Sequence, residues 1–358
     1  MNKQLFSIRL LFRLIAVVAA VGTTLVFQHT ARADEESPAL QKFKEPVDKS
    51  VDRALEYLAT SQKEDGTFPG QYGDTTAVAA LVGMAFLSKG YSPGLGPYGN
   101  QINKSIDLVL ASEQQKDGKP SGYLVRTGNG KMYAHCISTL FLSEVSGMTD
   151  PERQSKIDQT LPRAISLIID AQNVQKGPQF VGGWRYEPSS TDADLSLTGW
   201  AVMALRSARL NGAPVPDENI KKAIVFIVGC QPNGAKGEQG FGYQPGQGGV
   251  PAMTGVGILC LSLTGQNNNE MLPRAGDFLL ARNVNAGWGG GHFFYAIYYC
   301  TQAMFQLGGP YWEKWATEFY DNALSHQSQD GSWGDPYQTA MTVLALTVSY
   351  RQLPVYQR

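Results

Sequence analysis

The chain has 358 residues, 43% of them apolar, and a formal net charge of −1 at pH 7. That length accommodates one large domain or two ordinary ones. Balanced charge without a basic run leaves no electrostatic footprint for nucleic acid or an anionic membrane surface, so neither is expected as a partner.

At the N-terminus Lys3, Arg9 and Arg13 precede an apolar run from Leu14 to Phe27, and Ala31-Arg32-Ala33 offers a small-x-small cleavage site. This predicts a signal peptide over residues 1–33, cut after Ala33, and a secreted or periplasmic product. The run is shorter than the ~20 residues of a spanning helix, so no stable membrane span is expected after cleavage. Residues 34–46 read as a flexible, solvated lead-in. One domain, residues 47–358, follows.

From Val47 onward one unit recurs, and each copy predicts a helical hairpin. In the first, Val51, Leu55 and Leu58 mark one helix face, and Leu58-x3-Gln62-x3-Gly66-x-Phe68 carries the turn. The run Thr75 to Leu87 is then apolar nearly all round, which marks a buried helix. The second copy, Leu110-x3-Gln114-x3-Gly118, is degenerate, with Pro120 where an aromatic belongs and a Gly128-Asn129-Gly130 loop before the helix Tyr133–Val145. The third pairs Ile168-x3-Gln172 with Gly182-Gly183-Trp184, inserts Arg185 to Ala193, and starts its second helix at Asp194. The fourth has Ile227-x3-Gln231, then Gly240-Phe241-Gly242-Tyr243, with its second helix beginning near Thr254. The fifth has Leu279-x3-Asn283, Gly287-Trp288 and an aromatic start from His292 to Tyr299. The sixth is the cleanest: Gln327, an Asp330-Gly331 turn, Trp333, and an apolar helix to about Tyr350. Six copies spaced by 44 to 59 residues form an array. The closing stretch Tyr350–Arg358 is expected to seal the seam between the last and first hairpins.

The pattern Leu-x3-Gln-x3-Gly-x-Phe/Trp resembles the Gln-Trp repeat of squalene and oxidosqualene cyclases and of protein prenyltransferase β subunits, over about residues 47–350. The resemblance implies an all-α fold: an α/α toroid of six helical hairpins, with the second helices as inner ring and the first helices as outer ring.

Inner helices whose N-termini converge bring unpaired N–H groups and partial positive charge to one mouth. Aligning the copies on Thr76, Thr198, Thr254 and Thr339 gives the candidates for its lining: Asp74, His135, Asp192, Asp194, Ser196, Trp200, His292, Tyr295, Tyr298, Asp335 and Tyr337. Asp74, Asp194 and Asp335 also suit plain N-caps, each stabilising by about 0.5–2 kcal/mol. The third repeat is densest in polar groups. Asp192 and Asp194 are the candidate catalytic acids, because two close carboxylates repel and raise one pKa. Trp184, Tyr186, Ser196, Trp200, His292, Tyr295, Tyr298 and Tyr337 are the candidate ligand-binding residues.

The families' own chemistry fits poorly. Hopene-type cyclases carry Asp-x-Asp-Asp and Thr, whereas Asp192-Ala193-Asp194-Leu195 lacks the adjoining Asp, and the chain leaves no room for the cyclases' second helical domain. Prenyltransferase β subunits hold zinc with an Asp two residues before a Cys; here Ala134, Val228, Ile258 and Tyr298 occupy those places. No metal or cofactor is expected, since His135, Cys136 and His292 lack ligand spacing. Lys236-Gly237-Glu238-Gln239 resembles the thioester turn of complement-type toroids without its Cys. Cys136, Cys230, Cys260 and Cys300 read as free core thiols, with a Cys230–Cys260 bridge within the fourth repeat as the alternative.

Three functions follow. The first is a toroid that binds an isoprenoid or other apolar small molecule in its central cavity, with terpene-type catalysis by Asp192 or Asp194 unproven. The second is a secreted, lyase-like polysaccharide-active toroid using Arg126, Lys131, Arg185 or Lys236 and the aromatics Trp184, Tyr186 and Trp288. The third is a catalytically silent toroid that binds another protein.

Overall fold

The computed structural model describes residues 38–126, 130–232, 239–282 and 284–356. The segment 1–33 expected to be a signal peptide, residues 34–37 of the lead-in, Gly128-Asn129, Lys236–Glu238 and Asn283 lie outside the described residues. A single helical turn, Pro38–Gln41, is followed from Phe43 by one unit.

That unit is built from six helical hairpins. They are α1 (Lys44–Ser61) with α2 (Thr76–Ser88), α3 (Gly99–Ala111) with α4 (Lys131–Val145), and α5 (Pro151–Asn173) with α6 (Leu195–Leu210). The second half comprises α7 (Asp217–Gly229) with α8 (Pro251–Leu263), α9 (Met271–Ala281) with α10 (Phe293–Leu307), and α11 (Gly309–His326) with α12 (Pro336–Leu346). Each even-numbered helix packs on the next, and α12 returns to α2, so six inner helices close a ring. Sequence decides which helix goes inside. The helices α2 and α8 are buried on nearly every side, whereas α1 buries one stripe, Val47, Val51, Ala54, Leu55 and Leu58. The helix α1 starts at Lys44, ahead of the expected Val47.

The repeat motif works through its polar atoms. The amide of the motif Gln ties its own turn, or the next outer helix, to the end of its helix. Gln172 Nε2 donates to Gly182 O and Asn219 O, and Gln62 Nε2 to Gln101 O and Ser105 Oγ. The last copy closes the ring: Gln327 Nε2 donates to Ser50 O at 2.8 Å, Ser50 Oγ returns a bond at 2.9 Å, and Arg53 donates to Ser328 O. The motif Trp drives its indole N–H into the outer helix, Trp184 to Ile168 O and Trp333 to Ala323 O. Its backbone N–H meets the aligned Thr of the inner helix in three copies: Trp184 with Thr198, Phe241 with Thr254, and Trp333 with Thr339. Gly331 must be glycine, because φ is +91° and a Cβ there would stand 2.5 Å from Arg53 O.

The degenerate second copy differs from the rest. Strands β1 (Glu113–Lys116) and β2 (Lys119–Leu124) form an antiparallel hairpin around Asp117-Gly118, both at positive φ, a local exception to the all-helical pattern. Gln114 still bonds forward, to Val125 O.

The closing stretch does only part of what was expected. Tyr350 reaches α1 through Asp48 at 3.0 Å, but the turn Pro354–Tyr356 leaves the seam and buries Val355 and Tyr356 at the C-terminal ends of α4, α6 and α10. The four cysteines are free and buried. No helix among the described residues is long and apolar enough to cross a membrane.

Candidate functional site

The N-terminal ends of the inner helices meet, as the first turns of three of them show. Ser196 Oγ, on α6, lies 2.7 Å from the Tyr133 hydroxyl of α4 and 2.7 Å from the Tyr295 hydroxyl of α10. These three groups floor a shallow mouth. Above the floor stand Tyr337, edge-on to the exposed Tyr72 with ring centres 5.9 Å apart, and Tyr186, tilted against Tyr133.

One wall is the loop into α6. Asp194 is wholly buried and caps α6, its Oδ1 accepting from Leu197 N at 2.8 Å while Oδ2 stands 3.2 Å from the Arg185 guanidinium. Asp192 is 43% exposed and pairs with the same guanidinium at 3.4 Å. Burial pushes the Asp194 carboxyl up to about 6, against the pull of Leu197 N–H and Arg185; Asp192 adds only a minor push. The expected cause, repulsion between the two acids, is therefore subordinate to desolvation. The Tyr243 hydroxyl meets that of the exposed Tyr186, close enough to the buried Asp194 carboxylate to feel its charge. Arg185 lies over both rings, 4.5 and 5.5 Å from their centres.

Several expected site residues stand elsewhere. Trp184 and Trp200 are 1% exposed, the first as the indole wedge and the second inside the ring. Tyr298 faces away from the mouth, stacked on Trp200 and in contact with the Tyr356 hydroxyl near the far end. His292 is exposed and makes no cap bond. Asp74 is exposed because Thr75 caps α2 in its place, while Asp335 forms a full capping box with Gln338. His135 is a core residue: Nδ1 accepts from Leu124 N and Nε2 faces Ala164 O, so neither nitrogen is left for a metal, and burial holds it down at about 4.

The expected cavity is narrower than the ring. Trp200, Met203, Tyr298 and Tyr299 are at most 1% exposed, so no water-sized void touches them and the lower ring is filled. Of the other expected rim cations, Arg126 pairs with Asp65 and Lys131 with Glu187, and Lys236 lies outside the described residues. An outer cleft of about 570 Å³ beside α3 and α5 holds Arg153 and Arg163, each already paired with a carboxylate, and carries no comparable site. The sequence reading missed Tyr133 and Tyr243. Tyr243 had a signal, since it stands two residues beyond its motif aromatic, as Tyr186 does beyond Trp184.

The fold is the terpenoid-cyclase-like α/α toroid. A type II terpene cyclase from Scytonema, MstE, superposes with a TM-score of 0.57 at 14% identity, covering 86% of this chain and all of that one. A variant of the same enzyme, bound to its substrate geranylgeranyl dihydroxybenzoate, gives 0.55 at 14% identity over 89% of this chain and all of that one. An inactive variant of an α-1,6-mannanase, GH76A of Salegentibacter sp. HEL1_6, in complex with α-1,6-mannotetrose, gives 0.58 at 12% identity over 84% of this chain and 98% of that one. No family model matches the chain, and no curated protein matches it.

Proposed function

We propose that the mouth of the inner ring binds an amphipathic small molecule with an apolar, isoprenoid-like body. The supporting observation is where apolar surface is left open. Tyr72, Tyr186 and Val250 are 49%, 37% and 43% exposed, and all three lie just ahead of inner helices, at α2, α6 and α8. Exposed apolar groups gathered beside polar ones mark binding surfaces. The apolar body rests on the faces of Tyr72, Tyr186 and Tyr337, and a polar end meets Arg185 and Asp192. The geranylgeranyl ligand of the Scytonema cyclase is of this chemical class. Binding is better supported than cyclisation: both Asp194 oxygens are committed, and the filled lower ring leaves no chamber in which a long polyene could fold.

A second reading is carried by the Tyr186–Tyr243 hydroxyl pair beside Arg185 and Asp194. Phenols, a cation and carboxylates beside open aromatic faces also suit a saccharide, the ligand class of the mannanase neighbour. The residue composition of 1–33 adds a secreted or periplasmic location to the proposal, so N-terminal sequencing of the exported product is expected to begin at Asp34.

The test is native mass spectrometry with organic extraction of the purified protein. A co-purifying isoprenoid, lost in Arg185→Ala with an unchanged melting temperature, is the expected result. An empty protein that binds mannotetraose and no prenyl alcohol would sink the first reading in favour of the second.

A further inference from the structure

The floor of the mouth holds one hydroxyl proton more than its own bonds use. Ser196 Oγ stands between the phenols of Tyr133 and Tyr295, 2.7 Å from each. Tyr133 and Tyr295 are partly exposed, whereas Tyr299, one turn further along α10, is wholly buried, its ring centre 4.9 Å from that of Tyr295. The Tyr299 hydroxyl lies at this same end of the ring, where a Cβ on Gly199 of α6 would stand 3.4 Å from it. It makes no hydrogen bond of ordinary geometry among the described residues, and the hydroxyl within its reach is that of Tyr295.

Buried polar groups are normally satisfied, so this orphan sets a direction. Tyr299 gives its proton to the Tyr295 oxygen, Tyr295 gives its own to Ser196 Oγ, and Ser196 gives its own to the Tyr133 oxygen. The other acceptor open to Tyr295, Ser196 O, is farther away at 3.3 Å and already belongs to the α6 ladder. The Tyr133 proton is left over, because among the described residues its oxygen meets Ser196 alone. Burial holds Tyr133, Tyr295 and Tyr299 above the ordinary phenol range, so all three keep their protons near neutral pH. A second donor adjoins the first. Leu195 N meets Tyr243 O, Leu197 N meets the Asp194 carboxylate and Thr198 N meets Asp194 O, which leaves Ser196 N as the amide of that turn without a partner among the described residues.

We propose that the floor is a hydrogen-bond-donating site for a carbonyl oxygen, so that the amphipathic ligand of the mouth is a ketone, quinone or ester. The inference rests on the mouth reading above and narrows it. Tyr133 lies against Tyr186, the ring that carries Arg185, so one polar end meets the phenol and the guanidinium together. An ammonium group has no lone pair with which to accept the Tyr133 proton, which makes a prenyl amine the control.

Farnesylacetone, a neutral prenyl ketone, and farnesylamine are titrated into the full chain by calorimetry, and the carbonyl stretch of the bound ketone is read by difference infrared spectroscopy. The stretch is expected at lower wavenumber than in hexane. Tyr133→Phe should return it toward the hexane value and weaken the ketone about 3- to 10-fold, the worth of one neutral hydrogen bond, with the amine affinity and melting temperature unchanged. Tyr299→Phe, buried beneath the ligand, removes the source of the direction and should shrink the shift; it decides the matter if Tyr133→Phe does not fold. A bound ketone whose stretch is the same in wild type and variant overturns the carbonyl site and leaves the mouth reading standing. A protein that binds neither the ketone nor farnesol removes both.

Discussion

Asp194 stabilises the wall of the mouth through two bonds at once, to Leu197 N and Arg185. Asp194→Ala strands both partners and is expected to cost about 2–3 kcal/mol in a urea melt. Asp194→Asn keeps the cap and is expected to lose less than half of that. Asp192→Asn, at a half-exposed position, should leave the melt unchanged and weaken ligand retention; an equal loss of stability in both Asn variants would show that the pair works only as scaffolding. Glu144 provides the clearest pH dependence. Burial raises its carboxyl from 4.5 to about 7, against the pull of Ser207, Val355 N–H and Arg206, so the folded state favours the protonated form. Its contribution is present below pH 4.5 and lost as pH rises through 7, a change on the order of 3 kcal/mol. Subtracting a Glu144→Gln stability profile from that of the wild type should reveal this fall between those limits. His135 works in the opposite sense: held neutral at about 4, it loses stability as pH falls from 6.5 through 4.

At the scale of the helix and turn, the motif Gln and Gly are where single changes should be felt. Gln327→Ala removes the bonds to Ser50 O and Gly331 O and leaves two carbonyls and a hydroxyl short of partners, with an expected loss of about 2–4 kcal/mol. Gly331→Ala adds left-handed strain to a 2.5 Å clash with Arg53 O and should be at least as costly in thermal melts. Gly212, also at positive φ but with nothing near its absent Cβ, is the control that separates strain from clash. This is also the scale at which the sequence was most legible. Six Gln or Asn positions with a downstream Gly, five of them also with an aromatic, marked the hairpins, and the apolar-all-round helices marked the inner ring. The hairpin β1–β2 stayed hidden because Leu110-x3-Gln114 mimics the helical spacing, and only the pairing of Glu113 with Leu124 reveals the strand. The mouth was half legible. Residues chosen by their place in the third repeat, Tyr186, Asp192, Asp194 and Ser196, are there, as are Tyr295 and Tyr337. Tyr298 and Trp200 were misplaced because helical phase, which the aligned threonines do not fix, decides whether a ring faces the mouth or the packed interior.

For the molecule as a whole, closure should govern cooperativity. Every inner helix has two inner neighbours, so backbone amides in Thr76–Leu87, Thr198–Arg206 and Thr339–Leu346 are expected to exchange slowest and together, through global unfolding. Early exchange confined to α12 would show a ring that opens at its seam.

That seam also sets an order of events during synthesis. Ser50 and Arg53 find their partners in Gln327, Ser328 and Gln329, in the sixth hairpin, so the edge of α2 that will meet α12 waits apolar and uncovered until the other five hairpins have been made. Five hairpins make an open stack with two sticky ends. A nascent chain stalled before Gln327 should therefore bind holding chaperones and aggregate, and the final docking of α12 should appear in refolding as the slow step, sped by higher stability of the seam rather than of the earlier hairpins.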